Sequence, residues 1–170
     1  MANQFPEQFD PIKFAKTGEN LSGQISVAQL HRLTLSLYDD NGIVKFDLKF
    51  EQKNRSRVAI GKFETEVNMI CQRCLNPVKV PIQDNIQLEF VIGEDVEGHL
   101  EDQGYEVVTL VEEMLALAEL IEDEVMLALP FSPLHDEGKC SDNAIIEKLQ
   151  KTEKPNPFAV LAKLKNDQEL

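Results

Sequence analysis

The sequence predicts an α+β fold, a curved antiparallel β-sheet with flanking helices and an extended C-terminal tail. Three observations carry that expectation. Between Val44 and Ile92, apolar and polar residues alternate with a period of two, as half-buried strands require. On either side of this stretch a Ser- or Thr-led capping box opens an apolar stripe at helical spacing. Near the end, Pro155-Asn156-Pro157 breaks any continuing helix ahead of Phe158, Val160, Leu161 and Leu164. The expected division is a single domain over 1–150, long enough to bury a core without disulfides, and a tail over 151–170 with a short helical segment.

Taken in order, Phe5 to Pro11 reads as an extended arm that packs across the sheet, with two Phe and two Pro. Ser26 and Gln29 form the first capping box, and Leu30, Leu33 and Leu37 predict a helix from Val27 to Leu37, on which His31 reads as a solvated or partly packed residue rather than a ligand. Asp39 to Gly42 is a turn, after which Val44, Phe46, Leu48 and Phe50 form one strand face. Gln52 to Ser56 closes a hairpin into Val58 and Ile60. The next inward set is Phe63, Thr65, Val67, Met69 and Cys71, so the parity slips and a bulge at Gly61 is expected. Val78, Val80 and Ile82 and then Ile86, Leu88, Phe90 and Ile92 give further strands, interrupted at Asp84-Asn85. Gly93 to Tyr105, containing His99, reads as a mobile loop. Thr109 and Glu112 form the second capping box and predict a helix over 110–129, with Leu110, Met114, Leu117, Ile121 and Val125 inward and Pro130 as its stop. Glu112, Glu113, Glu119, Glu122 and Asp123 fall largely off this stripe, and Glu124 at its edge.

Charge narrows the function. The net charge is −13, and residues 80–138 carry 16 Asp/Glu and no Lys or Arg. That surface repels phosphate, so DNA is not an expected partner and any RNA contact must come from the first half. Lys45, Lys49 and Arg57 on the strands, with Lys53 and Arg55 on the connecting turn, are the most positive surface available and the candidate RNA-binding set. Glu112, Glu113 and Glu119 are the candidate set for a basic protein partner. The three cysteines cannot all pair, and no apolar run approaches the ~20 residues of a membrane span, so a soluble cytoplasmic protein with reduced thiols is expected.

Cys71-Gln72-Arg73-Cys74, followed by Leu75-Asn76-Pro77, reads as a tight knuckle between two strands, and it is answered by His135 and Cys140 after a proline-rich turn. A Cys₃His set is chemically adequate for a tetrahedral structural Zn²⁺ site. The competing reading is a reduced thiol pair lining a turn. A thioredoxin-type redox pair fits less well, because strands rather than a βαβ unit flank it.

Cys71-Gln-Arg-Cys74-Leu75, Glu122-Asp-Glu124 with Leu127-Ala-Leu-Pro130, then Pro133, His135 and Cys140, and finally Lys154-Pro-Asn-Pro-Phe-Ala-Val-Leu161 together resemble the YceD family. The resemblance runs in order from Asp10-Pro11 almost to the end of the chain. It implies a non-enzymatic role in synthesis, processing or stability of 23S ribosomal RNA, in the cytoplasm, and brings no catalytic residues. Many relatives carry a second Cys-x-x-Cys where this chain has His135 and Cys140. Two other classes compete with this reading. One is a protein adaptor that holds a basic ribosomal or RNA-processing protein on its acidic helix. The other is an enzyme, a thiol oxidoreductase or a carboxylate-dependent nuclease, disfavoured because no nucleophile and base stand at a recognisable spacing.

Overall fold

Three consecutive strands with alternating burial form the centre of the computed structural model, which describes residues 5–54, 56–93 and 104–140. They are β3 (Ile43–Lys53), β4 (Ser56–Ile70) and β5 (Pro77–Ile92). Val44, Phe46, Leu48 and Phe50 are buried, and the residues between them face outward. Asn54, with φ 55°, turns β3 into β4, a conformation that Asn tolerates better than most residues. β2 (Asn20–Ser26) adds antiparallel to β3, and β6 (Glu106–Leu110) adds parallel to β5. The sheet order is β2-β3-β4-β5-β6, so the α+β class holds and the sheet is mixed rather than wholly antiparallel.

The predicted arm is more structured than its prolines suggested. Gln8–Phe9 (β1) pairs with Leu115–Ala116 (β7), and α1 follows over Pro11–Thr17. The Asp10 carboxylate accepts from the N–H groups of Ile12 and Lys13 at 2.9 and 3.0 Å, and Pro11 occupies the first turn, where its missing N–H costs nothing. Phe9, Phe14 and Phe50 pack edge to face or tilted at 5.3–5.6 Å, and Phe90 stacks on Phe50 at 6.1 Å. Such offsets suit the ring quadrupoles and fix α1 and the arm on the inner sheet face.

Four expectations need correction. No bulge occurs at Gly61: β3 and β4 pair continuously from Lys45↔Glu64 to Lys53↔Ser56. Gly61 faces inward with Ala59 and Phe63, while Val58 and Ile60 lie on the opposite face, where Val58 is nevertheless fully buried opposite Glu89. β5 likewise runs unbroken through Asp84-Asn85. The helix expected over 27–37 is a 3₁₀ turn, Val27–Gln29, and a one-turn helix α2, His31–Thr34. Ser26 makes no side-chain cap because it still belongs to β2, paired with Ile43. The helix expected over 110–129 begins only at Leu117: α3 is Leu117–Leu127. Thr109 and Leu110 instead complete β6, because the β-branched run Val107-Val108-Thr109 finds the edge of β5. Leu117, Ile121 and Val125 are buried as expected.

These elements form one compact unit that ends at Leu134. Beyond it, residues 135–140 make a turn closed by the Lys139 N–H to the Asp136 carbonyl at 3.0 Å, with an ion pair between the same two side chains at 2.6 Å. Arg55, most of the Gly93–Tyr105 loop with His99, the 150/151 boundary and the 151–170 tail lie outside the described residues.

Candidate functional site

The knuckle fills the six residues between β4 and β5. The Cys71 N–H donates to the Asn76 carbonyl at 3.0 Å and the Leu75 N–H to the Cys71 carbonyl at 2.9 Å, closing the turn on itself. Leu75 holds φ 60°, a left-handed conformation that costs a branched residue on the order of 1 kcal/mol. The Gln72 N–H donates to the Pro133 carbonyl at 2.9 Å, which ties the proline-rich segment after α3 to the knuckle. Cys71 and Cys140 are buried and Cys74 is half-buried, and none of the three is in a disulfide.

His135 and Cys140 stand at the two ends of their turn, with Nδ1 and Sγ 3.9 Å apart. The ligand atoms of Cys71, Cys74, His135 and Cys140 all lie within 4.8 Å of one another. Around a tetrahedral zinc with bonds of ~2.0–2.3 Å, neighbouring ligand atoms sit about 3.5–3.8 Å apart. The donor set and its spread therefore fit a metal site, and the predicted four residues are brought together.

The hairpin cations behave differently. Lys45, Lys49 and Lys53 share the outer face of β3, but each meets an acid: Lys45 pairs with Glu64 at 3.0 Å, and Lys49 and Lys53 with Glu51 at 3.1 and 3.3 Å. Lys53 also lies 2.6 Å from the Tyr105 hydroxyl. Arg57 pairs across from Gln52 and so lies on the other face, with its Nε buried and lacking a hydrogen-bond partner among the described residues. The single positive stripe expected from parity is thus divided, because that expectation depended on the bulge.

The acidic candidates are also dispersed. Glu112 and Glu113 are exposed on the bend before β7, and Glu119 is exposed on α3. Glu122, expected off the stripe, is buried. Its carboxylate accepts from the Arg32 N–H at 2.6 Å, the Leu33 N–H at 3.0 Å and the Arg32 Nε at 2.9 Å, and so caps α2 from a distant element. The sequence signal for this clamp was thin: Arg32 is the lone Lys or Arg between Lys16 and Lys45.

Glu124 is half-buried, and burial first, then the charges of Glu106, Asp123 and Asp84, push its carboxyl up to about 7. Unfolding returns it to the ordinary carboxylate range, so the folded state gains stability as pH falls from about 7 toward 4.5. The gain should be on the order of 2 kcal/mol after allowing for solvent screening. Glu124→Gln should remove that part of the pH dependence in denaturant titrations and raise the midpoint at pH 8. A variant with the parent's slope across this window would contradict the assignment.

The chain is similar along its length to known proteins. The family model described as large ribosomal RNA subunit accumulation protein YceD matches residues 60–165. The large ribosomal RNA subunit accumulation protein YceD of Haemophilus influenzae is 33% identical over 171 residues, spanning 95% of this chain and 97% of that protein. No solved structure matches the chain.

Proposed function

Because the chain belongs to the YceD family, we propose that it acts in the cytoplasm as a non-enzymatic factor in the synthesis, processing or stability of 23S ribosomal RNA. The observation that carries this reading is the match to a protein of that name over 95% of the chain. Nothing in the reading needs a catalytic group. The protein works by binding, to the RNA or its precursor directly or to a protein that binds it. The direct test is co-sedimentation with large-subunit precursors, with and without ribonuclease. Recovery with precursors supports the reading, and ribonuclease-sensitive recovery identifies RNA as the bridge. Absence from every precursor fraction would count against it.

Zinc belongs to the same proposal. Cys71, Cys74, His135 and Cys140 would hold it, and bound there it supplies a cross-link between two segments far apart in sequence. The chain's own contribution is a preformed knuckle and a short turn that offer three thiols and one imidazole. Purified protein should contain about one zinc per chain, as in other four-ligand structural sites. Cys71→Ser or Cys74→Ser should lose it. The metal should also leave below the pH at which the thiolates protonate. Full-length protein prepared with zinc that binds none, or Cys→Ser variants that retain it, would refute this part without touching the RNA role.

A further inference from the structure

The inner face of the sheet is left open at one corner. Ile86, Leu88, Phe90 and Ile92 share that face of β5, and the first three are 1% exposed or less while Ile92 is 65% exposed. Ile92 stands opposite Leu110 at the end of β6. With Ile12 of α1 and Val111 of the following bend, itself 96% exposed, these two residues line a hollow of about 270 Å³ bordered by Asp10, Glu112 and Glu113. An aliphatic side chain that completes an inward row and stays wet lacks a cover that the described residues do not supply.

The strand that leads into this hollow is also unfinished. β6 is the last strand of the sheet, and among the described residues nothing pairs with its outer edge. Its run Val107-Val108-Thr109 carries no lysine, proline or bulge of the kind that keeps exposed edges from pairing. Acids stand at both ends of it. Glu106 opens β6, Glu112 and Glu113 follow it, and all three are exposed. The negative charges of Glu106, Asp123 and Asp84 all bear on half-buried Glu124. Two cations border the region. Lys53 is held by Glu51 at 3.3 Å and by the Tyr105 hydroxyl at 2.6 Å, and Lys13, next to Ile12, is exposed on α1.

We propose that the outer edge of β6 accepts an extended protein segment rich in Lys or Arg as a sixth strand, with one aliphatic side chain of that segment seated beside Ile92. The proposal rests on the reading above that the protein works by binding, and it adds a contact surface and the chemistry of a partner. Strand addition draws affinity from the free backbone groups of the edge and selectivity from side-chain pockets. Charge selects the occupant. A nucleic acid strand meets carboxylates at both ends of β6, and a second copy of this chain would set the same acids against themselves. A cationic segment instead relieves the crowding around Glu106 and neutralises Glu112 and Glu113, so its binding should weaken as salt rises.

The probe is a labelled heptapeptide in which threonine alternates with two lysines and then two valines, tested with its reversed sequence against the full-length protein. In anisotropy one of the two should bind saturably, and the same peptide with glutamate in place of lysine should not. Ile92→Ser should weaken binding about tenfold, with unchanged melting because the side chain is exposed. Glu106→Gln combined with Glu112→Gln should also weaken it and flatten its salt dependence. Glu119→Gln, in the cleft between the arm and α2, should bind as the parent does. Methylating every second backbone nitrogen of the peptide should abolish binding in one of the two phases, since strand pairing needs those N–H groups. No saturable binding of either peptide, full affinity of Ile92→Ser, equal weakening by Glu119→Gln, or full affinity of both methylated peptides would overturn the proposal. Such a failure is separable from failure of the functional reading. If cells lacking the protein lose 23S RNA and the Ile92→Ser, Glu106→Gln double variant restores it fully, the function stands and the docking edge falls.

Discussion

Gly61→Ala should destabilise the protein by at least about 3 kcal/mol and lower its melting midpoint by roughly 6–12 °C, the scale set by overpacking in a chain of this size. A Cβ at this position would run into the Asp47 carbonyl oxygen and would lie 2.9 Å from the Leu48 Cα. Both are backbone atoms of the paired strand, so a side-chain rotation cannot relieve the clash. The continuous β3–β4 register leaves the ladder no spare residue to absorb a shift. Lys62→Ala, one residue along on the exposed face, should change stability by less than about 0.5 kcal/mol. A Gly61→Ala protein that melts with the parent would mean the two strands do not approach this closely.

Glu122→Ala should cost about 2–4 kcal/mol, because it leaves the buried Leu33 N–H and the Arg32 N–H without their acceptor. Arg32→Ala should cost about 1 kcal/mol, since the guanidinium is half exposed and its pairs with Glu122 and Asp123 are partly screened. Glu122→Gln should fall between them. Burial alone would push the Glu122 carboxyl up, but the Leu33 N–H and the side chain and N–H of Arg32 hold it below the ordinary carboxylate range. Its stabilising contribution is therefore fully present above the unfolded value near 4.5 and disappears as pH falls through the lower folded value. Acid below pH 4.5 should loosen α2 from α3, while the same fall between pH 7 and 4.5 relieves Glu124. Denaturant midpoints across pH 3–8 for the two single variants would separate these opposite slopes. Equal stability of Glu122→Ala and the parent at pH 7 would show that the clamp does not hold α2.

Period-two burial was legible wherever a strand had one wet face: Val44 to Phe50 and Phe63 to Met69 stand as expected. It misled at Val58 and Ile60, where the sheet has apolar residues on both faces and alternation carries no parity. β6 was missed for a related reason. Leu110 and Met114 fall by chance at helical spacing from Leu117, and nothing local says that the preceding Val-Val-Thr run will find a parallel edge. The Cys/His set was legible because thiols and imidazoles are few and chemically marked, so residue type and scarcity grouped Cys71, Cys74, His135 and Cys140, whereas the loose His-x₄-Cys spacing spoke against it. The Glu122 clamp spans 90 residues and uses a common acid in an acid-rich helix, and only tertiary structure distinguishes it from its neighbours.

If this protein maintains large-subunit ribosomal RNA, the ratio of 23S to 16S RNA should fall in cells from which it has been removed and return when the intact chain is restored. A ratio that stays at the parental value after complete removal would mean that the protein has no part in large-subunit RNA accumulation.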